Sequence, residues 1–248
     1  MRCMIRIGIT GQSGFVGTHL AKCVQENPNF KLIPYEDRFF GDDALLRAFV
    51  RQCDVIVHLA GVSRRPDGDE AALYATNMGI NARLISLMDA EMVAPHVIFA
   101  SSVHETRDTA YGRSKRDGCL LFSNWAKERG VPFSCLVFPN IYGPGARPFY
   151  CSFIANFAYQ LQHGEEPQIQ VDAAIDLIYI KNLCRFLLAQ IDNPRNEKIY
   201  VPKDATMNVS EVLAIFRAFV KVDLDSTMFT GVQKNLYETF ASYKNFVL

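Results

Sequence analysis

The sequence predicts an α/β fold, namely a Rossmann-like, doubly wound parallel sheet with a small, mostly helical C-terminal substrate-binding lobe. Short apolar runs alternate with amphipathic segments of helical length, and a glycine-rich turn follows the first apolar run. The alternation loosens after Gly143-Pro144-Gly145. We therefore assign residues 1–145 to a dinucleotide-binding region and residues 146–248 to the substrate-binding lobe, interleaved in one compact unit.

The apolar runs are candidates for strands buried on both faces, because such strands of parallel sheets read as continuous apolar sequence. The predicted strands are Met4–Ile9, Lys31–Tyr35, Asp54–Leu59, His96–Ser101 and Phe133–Phe138. The predicted helices are Phe15–Glu26, Asp42–Arg51, Glu70–Ala90, Tyr111–Glu128, Phe149–His163, Lys181–Gln190 and Ser210–Val220. The last three are expected to cover the carboxyl edge of the sheet, where open α/β sheets bind ligands.

Composition narrows the possible functions. The sequence is 49% hydrophobic, and its 26 basic residues balance 26 acidic ones. The zero net charge argues against nucleic-acid and membrane-surface partners. The longest apolar runs are far too short to span a membrane, and the N-terminal MRCMIRIGIT leads into a strand pattern rather than a signal peptide.

The cysteine pattern bears on redox state and metal binding. There are seven cysteines, widely spaced and without a CxxC pair. This pattern predicts neither a disulfide framework nor a zinc site, so we expect no metal and mostly buried free thiols. Free thiols are typical of proteins in a reducing compartment, so we expect a cytoplasmic protein.

The glycine-rich turn has the spacing of a dinucleotide-binding loop. Gly11 allows the tight turn, Gly14 lets the backbone approach a pyrophosphate, and Gly17 lets the helix pack on the strand. The following helix N-terminus supplies N–H donors. The alternative is a glycine-rich turn that binds nothing. The residues predicted to bind the cofactor here are Gly11, Ser13, Gly14, Phe15, Val16 and Gly17.

Two further segments bear on the cofactor. Glu36 would bind a ribose 2′-hydroxyl and favour NAD, whereas Arg38 would bind a 2′-phosphate and favour NADP. Asp37 is equally well read as part of a charged surface turn. The third predicted strand ends in Leu59-Ala60-Gly61, three residues that we assign to the cofactor site because they suit its close approach. His58 before them is expected to be a packed, hydrogen-bonded residue rather than a catalyst.

A candidate catalytic set follows the fourth predicted strand. Tyr111 and Lys115 have the i, i+4 spacing that puts both side chains on one face of a helix. An adjacent ammonium lowers the pKa of a phenol, which suits Tyr111 for proton exchange with an alcohol or ketone. Ser102, at the end of the preceding strand, is placed to bond the substrate oxygen. The alternative is a surface tyrosine with a neighbouring lysine.

Together these motifs resemble the extended short-chain dehydrogenases/reductases, which include nucleotide-sugar epimerases, dehydratases and reductases. The matching motifs are GQSGFVG from Gly11, HLAG from His58, SS from Ser101, YGRSK from Tyr111 and PNIYGP from Pro139. The longer segments HLAGVSRRP, SSVHETRDTAYGRSK, FPNIYGPGARPFYCSFIANF and LYETFASY are similar to the reductase domain of capsular-polysaccharide enzymes. Such enzymes continue into a cupin epimerase domain, so the resemblance implies that this sequence carries the reductase part.

The resemblance implies roles for individual residues. Ser102 and Tyr111 would contact the C4 oxygen of the sugar, and Lys115 would hold the nicotinamide ribose. Asn140 would approach the pyrophosphate of the sugar nucleotide. The segment from Tyr150 to Asn156 would line the substrate pocket, with Ser152 and Asn156 as binding residues.

The sequence also departs from the family pattern. Val137 stands where relatives often carry an arginine, and Lys181-Asn182 replaces an acidic pair. Val103-His104 replaces the Asp-Glu that follows the catalytic hydroxyl in dehydratases, which argues against 4,6-dehydration. His104 and Glu105 are near enough in sequence to reach the site, but we favour the alternative that they lie in a solvated loop.

The leading hypothesis is NAD(P)H-dependent reduction of a nucleotide-linked 4-keto-6-deoxy sugar at C4, for surface-polysaccharide precursor synthesis. The alternatives are a 4-epimerase with tightly bound NAD and a non-catalytic NAD(P)-binding sensor. We expect a modest preference for NADP over NAD. We also expect a homodimer that packs the third and fourth helices of each subunit together, unless their apolar residues face the sheet instead. Those residues are Leu84, Ile85, Met88, Leu120, Leu121 and Trp125.

Overall fold

The computed structural model describes residues 4–221 and 229–247, which form two compact units. The first unit takes the chain up to Phe138 together with Cys184–Val201. The second takes Pro139–Leu183 together with the chain from Pro202 onward. The chain therefore passes between the units three times.

The described residues contain nine strands and eight α-helices. The strands are β1 Ile5–Thr10, β2 Phe30–Ile33, β3 Val55–His58, β4 His96–Ser102, β5 Phe133–Phe138, β6 Asn140–Tyr142, β7 Ala174–Tyr179, β8 Glu197–Tyr200 and β9 Ala205–Asn208. The helices are α1 Phe15–Gln25, α2 Asp43–Val50, α3 Glu70–Ala90, α4 Ala110–Arg129, α5 Phe153–Gln162, α6 Ile180–Asp192, α7 Val209–Lys221 and α8 Gly231–Ala241. Short 3-10 turns lie at Asp37–Gly41 and Val103–Thr106.

All five predicted strands and all seven predicted helices are confirmed; β5 and α3 have the predicted ends, and the ends of the others are shifted. The largest shift is at α5, which begins at Phe153 rather than Phe149. Ser152 caps this helix by accepting a hydrogen bond from the Ala155 N–H, and Phe149 has a φ of 58°, outside the helical region. Strands β6 to β9 and helix α8 were not predicted.

The first unit is built on a six-stranded parallel sheet in the order β2-β1-β3-β4-β5-β8. The chain runs from β1 outward to β2 and then returns to place β3 on the other side of β1. The strand order therefore reverses between β1 and β3, and ligands of doubly wound sheets bind at the carboxyl ends next to such a switch point. The phosphate loop predicted from the sequence follows β1 at that edge.

One hydrophobic core of this unit joins α2, α3 and α4 to the sheet. Phe49, Leu84, Met88 and Phe122 are at most 1% exposed, and Trp125 is 4% exposed. The Trp125 indole also donates a hydrogen bond to the Asp89 carboxylate at 2.8 Å. Three of the apolar residues that the sequence placed at a dimer interface, Leu84, Met88 and Trp125, thus pack inside the subunit.

Cys119 on α4 and Cys135 on β5 are joined by a disulfide bond. The expectation of free thiols is therefore wrong for this pair. Packing of α4 against the sheet brings residues 16 positions apart to a Cα–Cα distance of 5.9 Å, and this proximity is invisible in the spacing of the cysteines. Cys23, Cys53, Cys151 and Cys184 are not in disulfides, and Cys53 and Cys184 are buried as expected.

The second unit combines helices α5, α7 and α8 with a three-stranded sheet in the order β6-β7-β9. Strands β6 and β7 are parallel, and β9 is antiparallel to β7. Phe216, Phe219 and Phe240 form the aromatic centre of its helical part, with ring centroids 5.3 to 6.0 Å apart. The sequence predicted α5 and α7 of this unit but neither α8 nor the three-stranded sheet. Among the described residues, no helix has the length and apolar character needed to cross a membrane.

Candidate active site

The loop after β1 has the close backbone packing that its glycines predict. Gly11 has a φ of 70°, and a Cβ at this position would lie 2.9 Å from the Ala60 nitrogen. Only glycine fits there, because both the left-handed backbone and the approach to the Leu59–Ala60 segment exclude a side chain. The loop after β1 and the segment after β3 therefore lie against each other at the switch point.

Helix α1 presents an N-terminus suited to an anionic ligand. Gly14 is its N-cap, and no side chain caps the first turn, which contains Phe15 and Val16. The first N–H groups of a helix have no partner within the helix, so they are available to a pyrophosphate. Gly17 is buried, and a Cβ at this position would collide with the Gly11 carbonyl oxygen and lie 2.7 Å from the Gln12 Cα. The cofactor residues predicted in this loop thus occur together in one cradle.

His58 is a structural residue of this edge, as the sequence predicted. It is fully buried, its Nδ1 lies 2.6 Å from the Thr10 hydroxyl, and its Nε2 lies 2.9 Å from Asn81 Oδ1. Since the Asn81 oxygen accepts, His58 carries its proton on Nε2 and accepts from Thr10 at Nδ1. Burial lowers the pKa of His58 to about 4, so the ring is neutral near pH 7.

The charged turn after β2 is internally paired. Arg38 binds the Glu36 carboxylate with two nitrogens, at 2.8 and 3.2 Å, and both side chains are exposed. This pairing raises the pKa of Arg38 and lowers that of Glu36. Asp37 accepts a hydrogen bond from the Ser13 hydroxyl of the glycine loop. Asp37 is therefore exposed, as a surface turn predicts, and it also contacts the glycine loop.

The three predicted catalytic residues lie at the end of β4 and the start of α4. Ser102 is the last residue of β4 and its hydroxyl oxygen accepts from the His104 N–H at 3.3 Å. Tyr111 stands in the first turn of α4, which Thr109 caps by accepting from the Gly112 N–H at 3.1 Å. Lys115 follows one turn later, with its Nζ 5.7 Å from the centroid of the Tyr111 ring.

Lys115 is buried at this site and has a lowered pKa. It is 8% exposed and donates to the Ala100 carbonyl oxygen at 2.9 Å. Burial lowers its pKa from 10.5 to about 8. A Cβ on Gly61 would lie 3.7 Å from Lys115 Nζ, so the lysine also borders the segment that follows β3. A buried amine with a lowered pKa next to a tyrosine is typical of a functional site.

Sequence reasoning missed Asn77, which holds the segment after β3 to α4. Its amide is 5% exposed, accepts from the Val62 N–H at 2.7 Å, and donates to both the Val62 carbonyl and the Ser114 hydroxyl at 2.9 Å. The only signal was an asparagine in the interior of a predicted helix, where this residue is unfavourable unless its side chain has a partner.

The expectation of a solvated loop after Ser102 is wrong at Glu105. This side chain is 4% exposed, accepts from the Ser101 hydroxyl at 2.5 Å and forms an ion pair with Lys198 on β8. His104 is half-buried, and burial together with the nearby Arg107 lowers its pKa. Lys198 lies in a strand that the sequence did not predict, so this buried pair could not be foreseen.

The residues predicted to bind the sugar nucleotide lie in the second unit. The Asn140 amide donates to the Asp176 carbonyl at 3.2 Å, Ser152 caps α5, and Asn156 accepts from the Phe149 N–H at 2.6 Å. These bonds shape the segment around residues 149–156. Their role in binding stays a prediction.

The same unit explains one departure from the family pattern. Asp204 accepts from the Tyr179 N–H at 2.7 Å and from the Asn182 amide at 2.9 Å, at the start of α6. A carboxylate from the segment before β9 therefore stands at the helix N-terminus, beside the Lys181-Asn182 pair that replaces the usual acidic residues.

The fold is the Rossmann-like α/β fold of dinucleotide-binding proteins, with a glycine-rich loop at the point where the strand order reverses. More narrowly, the model of the NAD dependent epimerase/dehydratase family matches residues 7–202, and the chain belongs to that family.

Three similar proteins put this membership in context. A UDP-2-acetamido-2,6-beta-L-arabino-hexul-4-ose reductase of Pseudomonas aeruginosa is 26% identical over 96% of this chain and 65% of its own length. The crystal structure of the capsular polysaccharide assembling protein CapF from Staphylococcus aureus matches with a TM-score of 0.80 and 26% identity, over 96% of this chain and 65% of that one. The chain thus spans about two thirds of the length of these two relatives.

A third structure, RMD from Pseudomonas aeruginosa complexed with NADPH, matches with a TM-score of 0.84 at 18% identity, over 97% of this chain and 100% of that one. At this identity the match shows a shared fold.

Proposed function

We propose that the chain reduces the 4-keto group of a nucleotide-linked 6-deoxy sugar, in the synthesis of surface-polysaccharide precursors. The observation that carries this proposal is the placement of buried Lys115 beside Tyr111 and next to the segment after β3. The 26% identity to a UDP-linked 4-keto-sugar reductase supports the substrate class.

In the proposed reaction, Tyr111, Lys115 and Ser102 each have a separate role. The nicotinamide, when bound, supplies the hydride for C4 of the sugar. Tyr111 donates its phenolic proton to the oxygen that becomes the hydroxyl group. The Lys115 ammonium favours the phenolate that is left behind and binds the ribose next to the nicotinamide. Ser102 donates a hydrogen bond that orients the carbonyl oxygen.

We propose NADPH as the preferred cofactor, with NADH also accepted. The glycine cradle and the start of α1 hold the pyrophosphate, and Leu59, Ala60 and Gly61 border the dinucleotide. Arg38 would bind the 2′-phosphate after releasing Glu36, which now occupies its guanidinium. This competition limits the preference, and Asp37 beside Ser13 offers a ribose hydroxyl an acceptor. Fluorescence titration with both reduced cofactors decides the order, and clearly tighter NADH binding would overturn it.

The second unit is proposed to supply contacts to the sugar nucleotide. Asn140 is assigned to the pyrophosphate, and Ser152 and Asn156 to the sugar, on the family resemblance. Because Ser152 and Asn156 bond to nearby backbone N–H groups, their part in binding includes fixing the shape of residues 149–156.

The test is oxidation of NADPH in the presence of UDP-2-acetamido-2,6-beta-L-arabino-hexul-4-ose. The proposal predicts one NADPH consumed for each keto-sugar reduced, with a 4-hydroxy product. If instead the purified protein holds NAD firmly and interconverts C4 epimers without net cofactor use, the 4-epimerase is the correct function.

A homodimer is proposed through the outer faces of α3 and α4. Leu120 is 60% exposed, and Ile85 and Leu121 are half-buried, so these three remain candidates for the interface. Light scattering at micromolar concentration tests this, and a monomer would contradict it. A Leu120→Glu variant should shift a dimer towards monomer.

A cytoplasmic location stays a prediction. It rested partly on the expectation of free thiols, and the Cys119–Cys135 bond weighs against that part because disulfides are rare in the reducing cytosol.

A further inference from the structure

A buried carboxylate stands in the loop that connects the two catalytic hydroxyl groups. Glu105 belongs to the 3-10 turn that directly follows Ser102, six residues before Tyr111. One carboxylate oxygen accepts from the Ser101 hydroxyl at 2.5 Å, and the other pairs with the Lys198 ammonium. A carboxylate that is 4% exposed needs such partners, because an isolated buried charge is very costly. None of the roles assigned above uses this group.

Through these contacts of Glu105, the loop between Ser102 and Tyr111 is bonded to two strands, β4 and β8. Ser101 lies on β4, immediately before the catalytic serine. Lys198 lies on β8, and β5 separates the two strands in the sheet. Glu105 therefore bridges over the intervening strand and fixes the position of the loop relative to the sheet. The Arg116 guanidinium adds a longer contact, 3.4 Å, from α4 to the Glu105 carbonyl oxygen.

The same loop lies against the first turn of α4. A Cβ on Gly112 would collide with the carbonyl oxygens of His104 and Arg107, so the backbones are in close contact on either side of Glu105. The His104 N–H also donates to the Ser102 hydroxyl oxygen at 3.3 Å. A displacement of the loop therefore changes the placement of the Ser102 hydroxyl and of the helix turn that carries Tyr111.

We propose that Glu105 is a positioning residue for the reduction: its bonds to Ser101 and Lys198 hold the loop between Ser102 and Tyr111 in the geometry that catalysis requires. Glu105 acts through these two residues and is not assigned any contact with substrate. This inference rests on the proposed reductase function.

The first test is Glu105→Gln, which keeps an oxygen for the Ser101 hydroxyl but loses the charge that binds Lys198. We expect kcat for the keto-sugar to fall roughly 10- to 100-fold, since small misplacement of catalytic groups costs up to about 10²-fold. The dissociation constant of NADPH should stay within about twofold, because the phosphate loop is untouched. An unchanged kcat in an active enzyme would overturn the inference and leave the reductase function intact.

A double-mutant cycle of Glu105→Gln and Ser102→Ala distinguishes a positioning effect on Ser102 from a nonspecific loss of activity. If Glu105 acts partly through Ser102, the two substitutions together lower kcat by less than the product of their separate factors, because residues that act as one unit are not additive. Strictly multiplicative losses would contradict the proposal.

Two further variants control for stability. Glu105→Gln/Lys198→Met removes both charges, which is often tolerated by a fold, and should keep the wild-type Tm while kcat stays low. Recovery of kcat in this double variant would refute a positioning role for the ion pair. Glu91→Gln is the matched control, since Glu91 pairs with Arg47 and Arg51 at the end of α3. It should lower the Tm and leave kcat unchanged.

Hydrogen exchange supplies a readout that needs no substrate. In the wild-type protein, the hydrogen-bonded backbone amides of His104, Arg107 and Ala110 should be protected from exchange. In Glu105→Gln they should exchange at least about tenfold faster, because the ion pair with Lys198 on β8 is lost. Unchanged exchange would overturn the inference even if the sugar substrate proves to be a different one. A wild-type protein that never oxidises NADPH with the keto-sugar would refute the reductase function separately.

Discussion

Replacement of Lys115 by methionine should make the protein more stable while removing its activity. The pKa of this buried lysine is lowered from 10.5 to about 8. At about 1.4 kcal/mol for each tenfold change in proton affinity, burying the ammonium costs about 3 kcal/mol at pH 7. Methionine has no charge to desolvate and fills a similar volume. Against this gain stands the loss of the bond to the Ala100 carbonyl, worth about 1 to 2 kcal/mol.

The net expectation for Lys115→Met is a gain of about 1 to 2 kcal/mol at pH 7, or roughly 2 to 8 °C in Tm for a chain of this size. The sign depends on pH in a defined way. The folded-state pKa lies below that of the unfolded chain, so between pH 8 and 10.5 the unfolded state binds more protons and the wild type becomes more stable as pH rises. The advantage of methionine should therefore shrink above pH 8 and disappear within this window. By pH 10.5 the variant should be slightly less stable than the wild type, because only the loss of the bond to the Ala100 carbonyl then remains.

Calorimetry of the cofactor-free protein at pH 7 and pH 10 measures this, with Lys127→Met as the control. Lys127 lies exposed near the end of the same helix, so its replacement should change Tm little at either pH. Lys115→Met should also bind NADPH more weakly and have a lower kcat, whereas Lys127→Met should change neither. A lower Tm at pH 7, or a gain that does not depend on pH, would refute the reasoning from burial.

Three other substitutions have expected outcomes. Glu36→Gln should tighten NADPH binding by several-fold and leave NADH binding nearly unchanged, because it frees Arg38; titration of both cofactors checks this. Ser102→Ala should reduce kcat less than loss of the proton donor does, since Ser102 orients the carbonyl; steady-state kinetics measure the difference. His58→Gln should reduce the loss of stability as pH falls from about 6.5 towards 4, because wild-type His58 takes up its proton in the unfolded chain before the folded one; thermal melts at pH 7 and pH 5 compare the variants.

Except for β8, the strands and helices of the first unit were predictable because their sequence signals are local. Buried parallel strands such as β3 and β5 read as apolar runs, and α4 carries both a threonine N-cap and a glycine at its C-terminus. The glycine loop and the Tyr111–Lys115 pair were found for the same reason, since each lies within a few residues along the chain.

The features that escaped prediction depend on contacts between distant segments. Strand β8 reads as a short, mostly exposed stretch, and it becomes a strand because β5 offers it a parallel edge. The Glu105–Lys198 pair depends on that strand and could not be anticipated from a loop sequence. The Cys119–Cys135 bond likewise follows from the packing of α4 on β5. In each case the partner was set by tertiary structure rather than by spacing.

The most direct test of the account is the rate of NADPH oxidation with UDP-2-acetamido-2,6-beta-L-arabino-hexul-4-ose, compared between wild type and Tyr111→Phe. Phenylalanine keeps the ring and its packing and removes the proposed proton donor. The account predicts a fall in kcat of at least about 10²-fold, in the range that general acid catalysis contributes, with NADPH binding nearly unchanged. Wild-type rates in Tyr111→Phe would show that Tyr111 is not the acid and would contradict the assignment of this site.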